Sequence, residues 1–422
     1  MKVSETIYTL AIVGEDGTQY DISEFAEDLG WEENERELAT SMSFSVGTDN
    51  AKLNALVKLG CVALVLVGED ECARTTINRA RQKKSSDKVS LTISAYDELY
   101  PLQRSEDQLY FPAGQTTKAV LTQILGDWGI TFGKYEGADV THEKLVFRTG
   151  SLADSILDIL DDAVKKGGDP SVLRAAKGSV EVVKRGGNKT VYLFDEDDTI
   201  SVEQETSITE LVTRVKIVGK EDATEGLPPV EALLNGLTEF GIRQRIYTRE
   251  KDATTAEAQT AAQAILDEKG KVKKSMAIKS PDVPQMRKGD AIFVHIGEIV
   301  GYFYVEGIRH DATTGTMTLD IKELPMLDKS IDKLADLGVL NSPDYWKEHA
   351  EDTPYVDALI EKAAAVITED GPRCATLEEG IQALTDAGII TTPAYWSDKG
   401  GNVAELIMAL GGAVLASGAT IT

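Results

Sequence analysis

Cysteine and histidine are scarce in this 422-residue chain, which has three of the first and four of the second. Cys61, Cys72 and Cys374 are odd in number and form no C-x-x-C pair. That excludes a disulfide framework and a cysteine-rich zinc site, and it points to synthesis in a reducing cytoplasm. Cys61 and Cys72 are expected either as small buried apolar residues or facing each other across a hairpin. His142, His295, His310 and His349 fall in no H-x-x-H or H-E-x-x-H pattern. His295 and His310 lie in neighbouring strand candidates and could meet, although a half-buried pair is a commoner outcome than a zinc pair.

Positive charge is also short. Lys and Arg number 44 against 70 Asp and Glu, a net charge of −26. Such a field repels phosphate backbones, so no sequence-specific nucleic-acid partner is expected, while a local basic site stays compatible with it. Long apolar runs are missing. Met1–Leu10 has no run of signal-peptide length, the longest apolar stretch, Val403–Ala416, carries Glu405, and no membrane-spanning segment is expected. Catalytic signatures are missing as well: no G-x-S-x-G, P-loop or G-x-G-x-x-G occurs. Asp195-Glu196-Asp197-Asp198 lacks the spacing of a calcium loop and reads as a solvated turn. The many carboxylates show no apolar setting that would raise a pKa. The chain is therefore expected to be no enzyme, with no catalytic residue, no metal ligand and no cofactor.

What is present is an α+β pattern long enough for several domains. Ile7–Val13, Glu37–Val46, Cys61–Val67 and Val89–Ala95 read as strands, and Ser41–Val46 alternates polar and apolar residues as a strand with one wet face does. Thr116–Trp128 and Ser151–Ala163 carry apolar residues at helical spacing, with Ser151 and Asp154 as a capping arrangement. Strand signals return at Val180–Val183, Thr190–Phe194 and Glu210–Val218. Asp222–Gly236 reads as a loop and Ala253–Lys269 as a helix. Ser275–Ile278, Ala291–Val294, Tyr302–Ile308 and Thr316–Ile321 read as further strands. The expected organisation is a β domain over 1–105, an α/β insertion over 106–205, a second β domain over 206–325 with a helix at 253–269, and a helical module over 326–422.

That last region contains a duplication. Ile331–Trp346 aligns with Ile381–Trp396 without a gap, and seven of the sixteen positions are identical. The repeats span about 328–367 and 378–416. Each should be a helix stopped by Gly338 or Gly388, a Ser-Pro or Thr-Pro start leading into Tyr-Trp, and a second helix.

Two residue groups are candidate binding elements. Arg74, Arg79, Arg81, Lys83, Lys84 and Lys88 crowd into fifteen residues. They read either as a solvated hairpin loop of an edge strand or as a docking patch for an acidic partner. The pairs Tyr345-Trp346 and Tyr395-Trp396 either fill two small helical cores or stack on sugar rings from equivalent sites.

The order of several segments resembles a known family. Gly60–Gly68, Val89–Asp97, Leu102–Phe111, Gly150–Ile156, Glu205–Ile217, Phe240–Gln244, Gly301–His310 and Met317–Ile321 together look like XkdQ/YqbQ-like proteins. These are baseplate hub proteins of contractile phage tails and phage-tail-like particles, with tail-tube-like domains of the late control protein D/VgrG type. The resemblance reaches about Leu324, and it departs at Thr213, where the pattern usually has Asn. It implies two tail-tube-like β-barrel domains flanking the α/β insertion. It also implies a homotrimer whose six β domains adapt a hexameric tail tube to a trimeric spike, with the tail tube protein, the spike protein and other baseplate proteins as partners. The expected location is the baseplate of a virion or phage-tail-like particle assembled in the bacterial cytoplasm. The C-terminal duplication is similar to G-[VI]-[IL]-x-[ST]-P-x-Y-W repeats of endolysins and tail proteins of Gram-positive phages, through Gly338, Pro343, Tyr345 and Trp346 and through Gly388, Pro393, Tyr395 and Trp396. That likeness implies peptidoglycan as a partner, and a cell-wall-binding or cell-wall-degrading tail protein as the alternative function.

Overall fold

The computed structural model describes residues 6–47, 51–84, 89–148, 150–188, 190–196, 199–219, 227–249, 253–297, 299–323, 327–350, 356–367, 376–386, 390, 406–407 and 410–411. The chain divides into two units. One comprises Met1–Ser201 with Ile278–Thr422, and the other is the inserted segment Val202–Ala277.

The larger unit is built on one long sheet. Its neighbouring strands run Thr316–Glu323, Ile299–Asp311, Ala26–Asn34, Glu37–Gly47, Val89–Tyr96, Asp70–Lys84, Val62–Val67, Thr9–Val13 and Gln19–Asp21. Strands from both β stretches of the sequence therefore share it. The join is the antiparallel pairing of Ala26–Asn34 with Ile299–Asp311, from Gly30 opposite Asp311 to Asn34 opposite Gly307. Alternation sets the faces. In Glu37–Gly47, Met42, Phe44 and Val46 are buried while Ser41, Ser43 and Ser45 are not. The buried side joins Leu10, Ile12, Trp31, Ile77 and Ile93 in one core, as expected for an antiparallel sheet wet on one side.

The insertion carries a second core. Helices Thr117–Asp127 and Leu152–Lys165 place Val120, Ile124, Ile156 and Ile159 against Leu173, Val180 and Val182 of a small three-stranded sheet, and Leu38, Leu99 and Leu102 join the same cluster. The Ser151 cap forms as expected: its hydroxyl accepts the Asp154 N–H at 3.0 Å and donates to the Asp154 carboxylate at 2.7 Å.

In the inserted unit, Arg214–Val218 pairs antiparallel with Val230–Asn235 and parallel with Gln244–Thr248. The helix Thr255–Lys269 buries Ala258, Ala262 and Leu266 on Val215 and Ile217. Val230–Asn235 corrects the loop expected over Asp222–Gly236. Its alternation was hidden by the glycine and the prolines in front of it, and those residues shape the approach rather than the strand.

Beyond Glu323 the described residues form the helices Leu327–Asp336, Pro343–His349, Val356–Ile367 and Leu377–Asp386. Gly338 ends the first with a φ of +75°, a left-handed conformation suited to glycine. Equivalent residues of the two sequence repeats, Ile331 with Ile381, Leu334 with Leu384 and Ile360 with Ile407, share one core. Most of the second repeat, including Gly388, Pro393, Tyr395 and Trp396, lies outside the described residues. Among the described residues, no helix is long and apolar enough to cross a membrane.

Candidate functional site

The basic cluster lies on a strand, which corrects the hairpin-loop reading. Asp70–Thr76 pairs with Val62–Val67, and Thr76–Lys84 pairs on the other side with Val89–Tyr96, so the half that carries Arg79, Arg81, Lys83 and Lys84 has one strand neighbour among the described residues, as the edge-strand part of that reading expects. Up to Ile77 it alternates with buried Cys72, Thr75 and Ile77, whereas Asn78–Lys84 is exposed on both faces. Arg74 differs from the rest, because its guanidinium binds Glu71 through Nε at 3.0 Å and Nη2 at 2.7 Å. Those hydrogen bonds raise its pKa.

Register fixes what lies beside the other cations. Arg79, Arg81 and Lys83 stand opposite Ser94, Thr92 and Ser90, and these stand opposite Ser43, Ser45 and Gly47 of the next strand. Residues directly opposite in an antiparallel pair share a face. The wet side of the sheet is thus a strip of hydroxyls flanked by three cations. Lys84 points to the other face, and Lys88 lies outside the described residues.

In the aromatic pair of the first repeat the two rings have different settings. Trp346 packs against the helical core and donates its indole N–H to the Asn341 carbonyl at 2.8 Å. Tyr345 is 48% exposed and meets Trp346 and His349 edge-on.

The histidines do not form a pair. His295 stands opposite Val300 in its hairpin. His310 is buried, stacks on Trp31 with centroids 4.4 Å apart, and bonds through Nδ1 to Asp282 at 2.7 Å and through Nε2 to the Met286 carbonyl. Tyr8 donates to the other oxygen of Asp282, and burial followed by that carboxylate drives its pKa upward. Nor do Cys61 and Cys72 oppose each other: the Cys61 carbonyl accepts the Ile77 N–H, and Cys72 sits at the bulge beside Val65 and Leu66. Among the described residues, no cluster of three His, Cys, Asp or Glu suits a metal.

The densest polar arrangement was not legible in the sequence. It is a buried junction around the segment Pro281–Asp290. Lys288 is 2% exposed, and its ammonium donates to the carbonyls of Leu38 at 2.8 Å, Glu37 at 3.1 Å and Asn34 at 3.4 Å. Its backbone N–H donates to Glu33 at 3.0 Å, and the Arg287 guanidinium binds the same carboxylate. Arg287 also reaches the Ala175 carbonyl at 2.9 Å. Arg174 bridges Glu181 at 2.8 Å and Asp290 at 3.0 Å. Arg185 pairs with Glu35 and lies 4.4 Å over the Tyr304 ring.

The charges compensate. Burial opposes ionisation of Glu33, but Arg287, Lys288, a backbone N–H and Arg174 outweigh it and hold its pKa below the usual carboxylate range. Burial pulls the Lys288 ammonium down against the pull of Glu33 and Asp97, and it pushes Asp97 and Asp290 up. Chemically this site is inert. All three Lys288 protons are committed and the amine is sealed from water, so it offers neither nucleophile nor base. It clamps one segment to three strands that are remote from it in sequence.

This architecture has counterparts among solved tail proteins. It is similar to the 43 kDa tail protein of prophage MuSo2 from Shewanella oneidensis, with a TM-score of 0.56 at 13% identity over 75% of this chain and 98% of that one. It is also similar to the tail protein from Neisseria meningitidis MC58, with a TM-score of 0.54 at 15% identity over 76% and 97%. No curated protein matches the chain. Residues 29–322 match the YQBQ-like family, and the chain belongs to that family. The match ends within the strand Thr316–Glu323, so the helices from Leu327 lie outside it. Thr213, where the resemblance leads one to expect Asn, is fully buried. Its hydroxyl donates to the Gly241 carbonyl and accepts the Arg243 N–H, both at 2.7 Å, a dual role that a side-chain amide can also fill.

Proposed function

We propose that this chain is a structural baseplate protein, the hub of a contractile phage tail or phage-tail-like particle. In this reading it is a trimer that joins a hexameric tail tube to a trimeric spike. Two tube-like β domains per chain, around residues 1–105 and 206–325, supply the sixfold face. The observation that carries the reading is family membership over 29–322, together with a fold that spans nearly the whole of two solved tail proteins. A buried ionic junction that ties one segment to strands remote in sequence suits a part that bears load.

Light scattering on the purified full-length chain should give three chain masses. Gold labels on the chain in assembled particles should lie where tube meets spike. A label at the tail fibres or the far end of the tube would refute the assignment.

The exposed Tyr345 ring favours a second reading for the C-terminal repeats, as a peptidoglycan contact. Full-length chain should then be retained on purified sacculi and Tyr345→Ala should lose that retention. Equal retention of the two proteins refutes the contact. Docking of the repeats onto another baseplate protein would appear instead as cross-links within the particle.

A further inference from the structure

The distal half of the strand Asp70–Lys84 is an open edge. At Ile77 the backbone N–H and carbonyl still meet the Cys61 carbonyl and the Gly60 N–H. Past that point the pairing with Val89–Tyr96 continues on one side, while on the other no described residue bonds the backbone of Asn78–Lys84. Every second residue of that stretch therefore turns its N–H and carbonyl outward, with no partner among the described residues. The same stretch carries Arg79, Arg81, Lys83 and Lys84 and no carboxylate, in a chain of net −26. Arg74, Arg174, Arg185, Arg249 and Arg287 each hold a carboxylate. None of the four edge cations forms an ion pair with a described residue.

Spacing turns these charges into a ladder. Arg79, Arg81 and Lys83 share the face that carries Ser94, Thr92 and Ser90, and residues two apart in a strand stand about 6.8 Å from one another. A strand added at this edge would set its own alternate side chains opposite them, at about 5 Å between Cβ atoms. The same edge of another copy is opposed, because it would bring cation onto cation. A polyphosphate offers only acceptors to a margin that presents donors and acceptors in turn, whereas a polypeptide backbone supplies both. We propose that Asn78–Lys84 receives, as an additional strand, an extended acidic segment of another protein with Asp or Glu at every second position. The backbone of that segment completes the hydrogen-bond ladder, and its carboxylates meet Arg79, Arg81 and Lys83. The contact lies within the larger unit and does not depend on the trimer.

The test titrates full-length protein into the labelled peptide Thr-Glu-Thr-Glu-Thr-Glu-Thr and into its isomer Thr-Thr-Glu-Glu-Glu-Thr-Thr, which has the same charge. Fluorescence anisotropy reads binding and amide hydrogen exchange reads the ladder. The alternating peptide should bind roughly fivefold or more tighter, because fewer of the contiguous carboxylates reach the cationic face. It should also slow exchange of alternate amides in Asn78–Lys84. Both arginines are exposed, so Arg79→Glu/Arg81→Glu should fold, as circular dichroism checks, and should weaken the alternating peptide roughly tenfold or more. Equal binding of the two isomers, no binding at millimolar concentration, or binding that leaves exchange at Asn78–Lys84 unchanged overturns the proposal. An oligothymidylate that displaces the peptide and slows the same amides overturns it in favour of nucleic acid. Self-association of the wild type that Arg79→Glu/Arg81→Glu abolishes in light scattering assigns the edge to a second copy and also overturns it.

Discussion

Replacing Glu33 by glutamine removes one negative charge from a place where water cannot compensate. The residue is 3% exposed and serves both the Arg287 guanidinium and the Lys288 backbone N–H. Removing one partner of a buried ion pair costs about 3–5 kcal/mol, because the other is left uncompensated. The glutamine oxygen can still accept one of the two hydrogen bonds, which recovers about 1 kcal/mol. The net expectation is a loss of about 3 kcal/mol, or roughly 6–12 °C in the main thermal transition at about 2–4 °C per kcal/mol. Glu33 has its folded pKa held below the usual range, so its contribution is present above that range and fades as pH falls through the folded value. The gap between wild type and variant in calorimetry should therefore be full at pH 7 and close toward strongly acidic pH. Glu32→Gln, one position along and exposed, is the control and should cost less than about 0.5 kcal/mol. If Glu33→Gln melts within two degrees of wild type at pH 7, the junction does not hold the larger unit together.

Three further outcomes follow from other parts of the chain. Gly289 has a φ of +87°, and a Cβ there would meet Val172 Cγ2 at 2.4 Å; Gly289→Ala should cost roughly 2–5 kcal/mol in urea unfolding, from backbone strain plus overpacking. Thr254 caps the helix Thr255–Lys269 in a reciprocal box with Glu257, and Thr254→Ala should destabilise that helix by about 1 kcal/mol, seen as faster amide exchange in its first turn. Burial pushes the Cys72 thiol up to about 11, helped by Asp282 and Asp70; iodoacetamide at pH 8 should modify the half-buried Cys61 well before Cys72, and comparable rates would contradict the placement.

Sequence reasoning found elements whose burial writes a pattern. Glu37–Gly47 and Leu152–Lys165 alternate or recur because one side of each meets a core. It missed Ala26–Asn34, whose acidic residues mask the buried Leu29, Trp31 and Glu33. It misread Asp70–Lys84 because the distal half is exposed on both faces and carries cations where a strand usually shows apolar residues. The junction was invisible for another reason. Glu33 and Lys288 are 255 residues apart, and no local composition marks a charge that will be buried by pairing at that distance. The only local hint was Lys288-Gly289, a charged residue before a glycine, which is common in any surface turn.

The pairing of Ala26–Asn34 with Ile299–Asp311 sets a clock on biosynthesis. One flank of the early strand has no neighbour until the late one leaves the ribosome, roughly 14–55 s afterwards at about 5–20 residues per second. During that interval the nascent polypeptide exposes an open hydrogen-bonding margin that any extended stranger can occupy. Glu32, the exposed acidic side chain within the stretch Gly30–Asn34 that forms it, puts a charge in the way of such strangers while the chain waits for its own late strand.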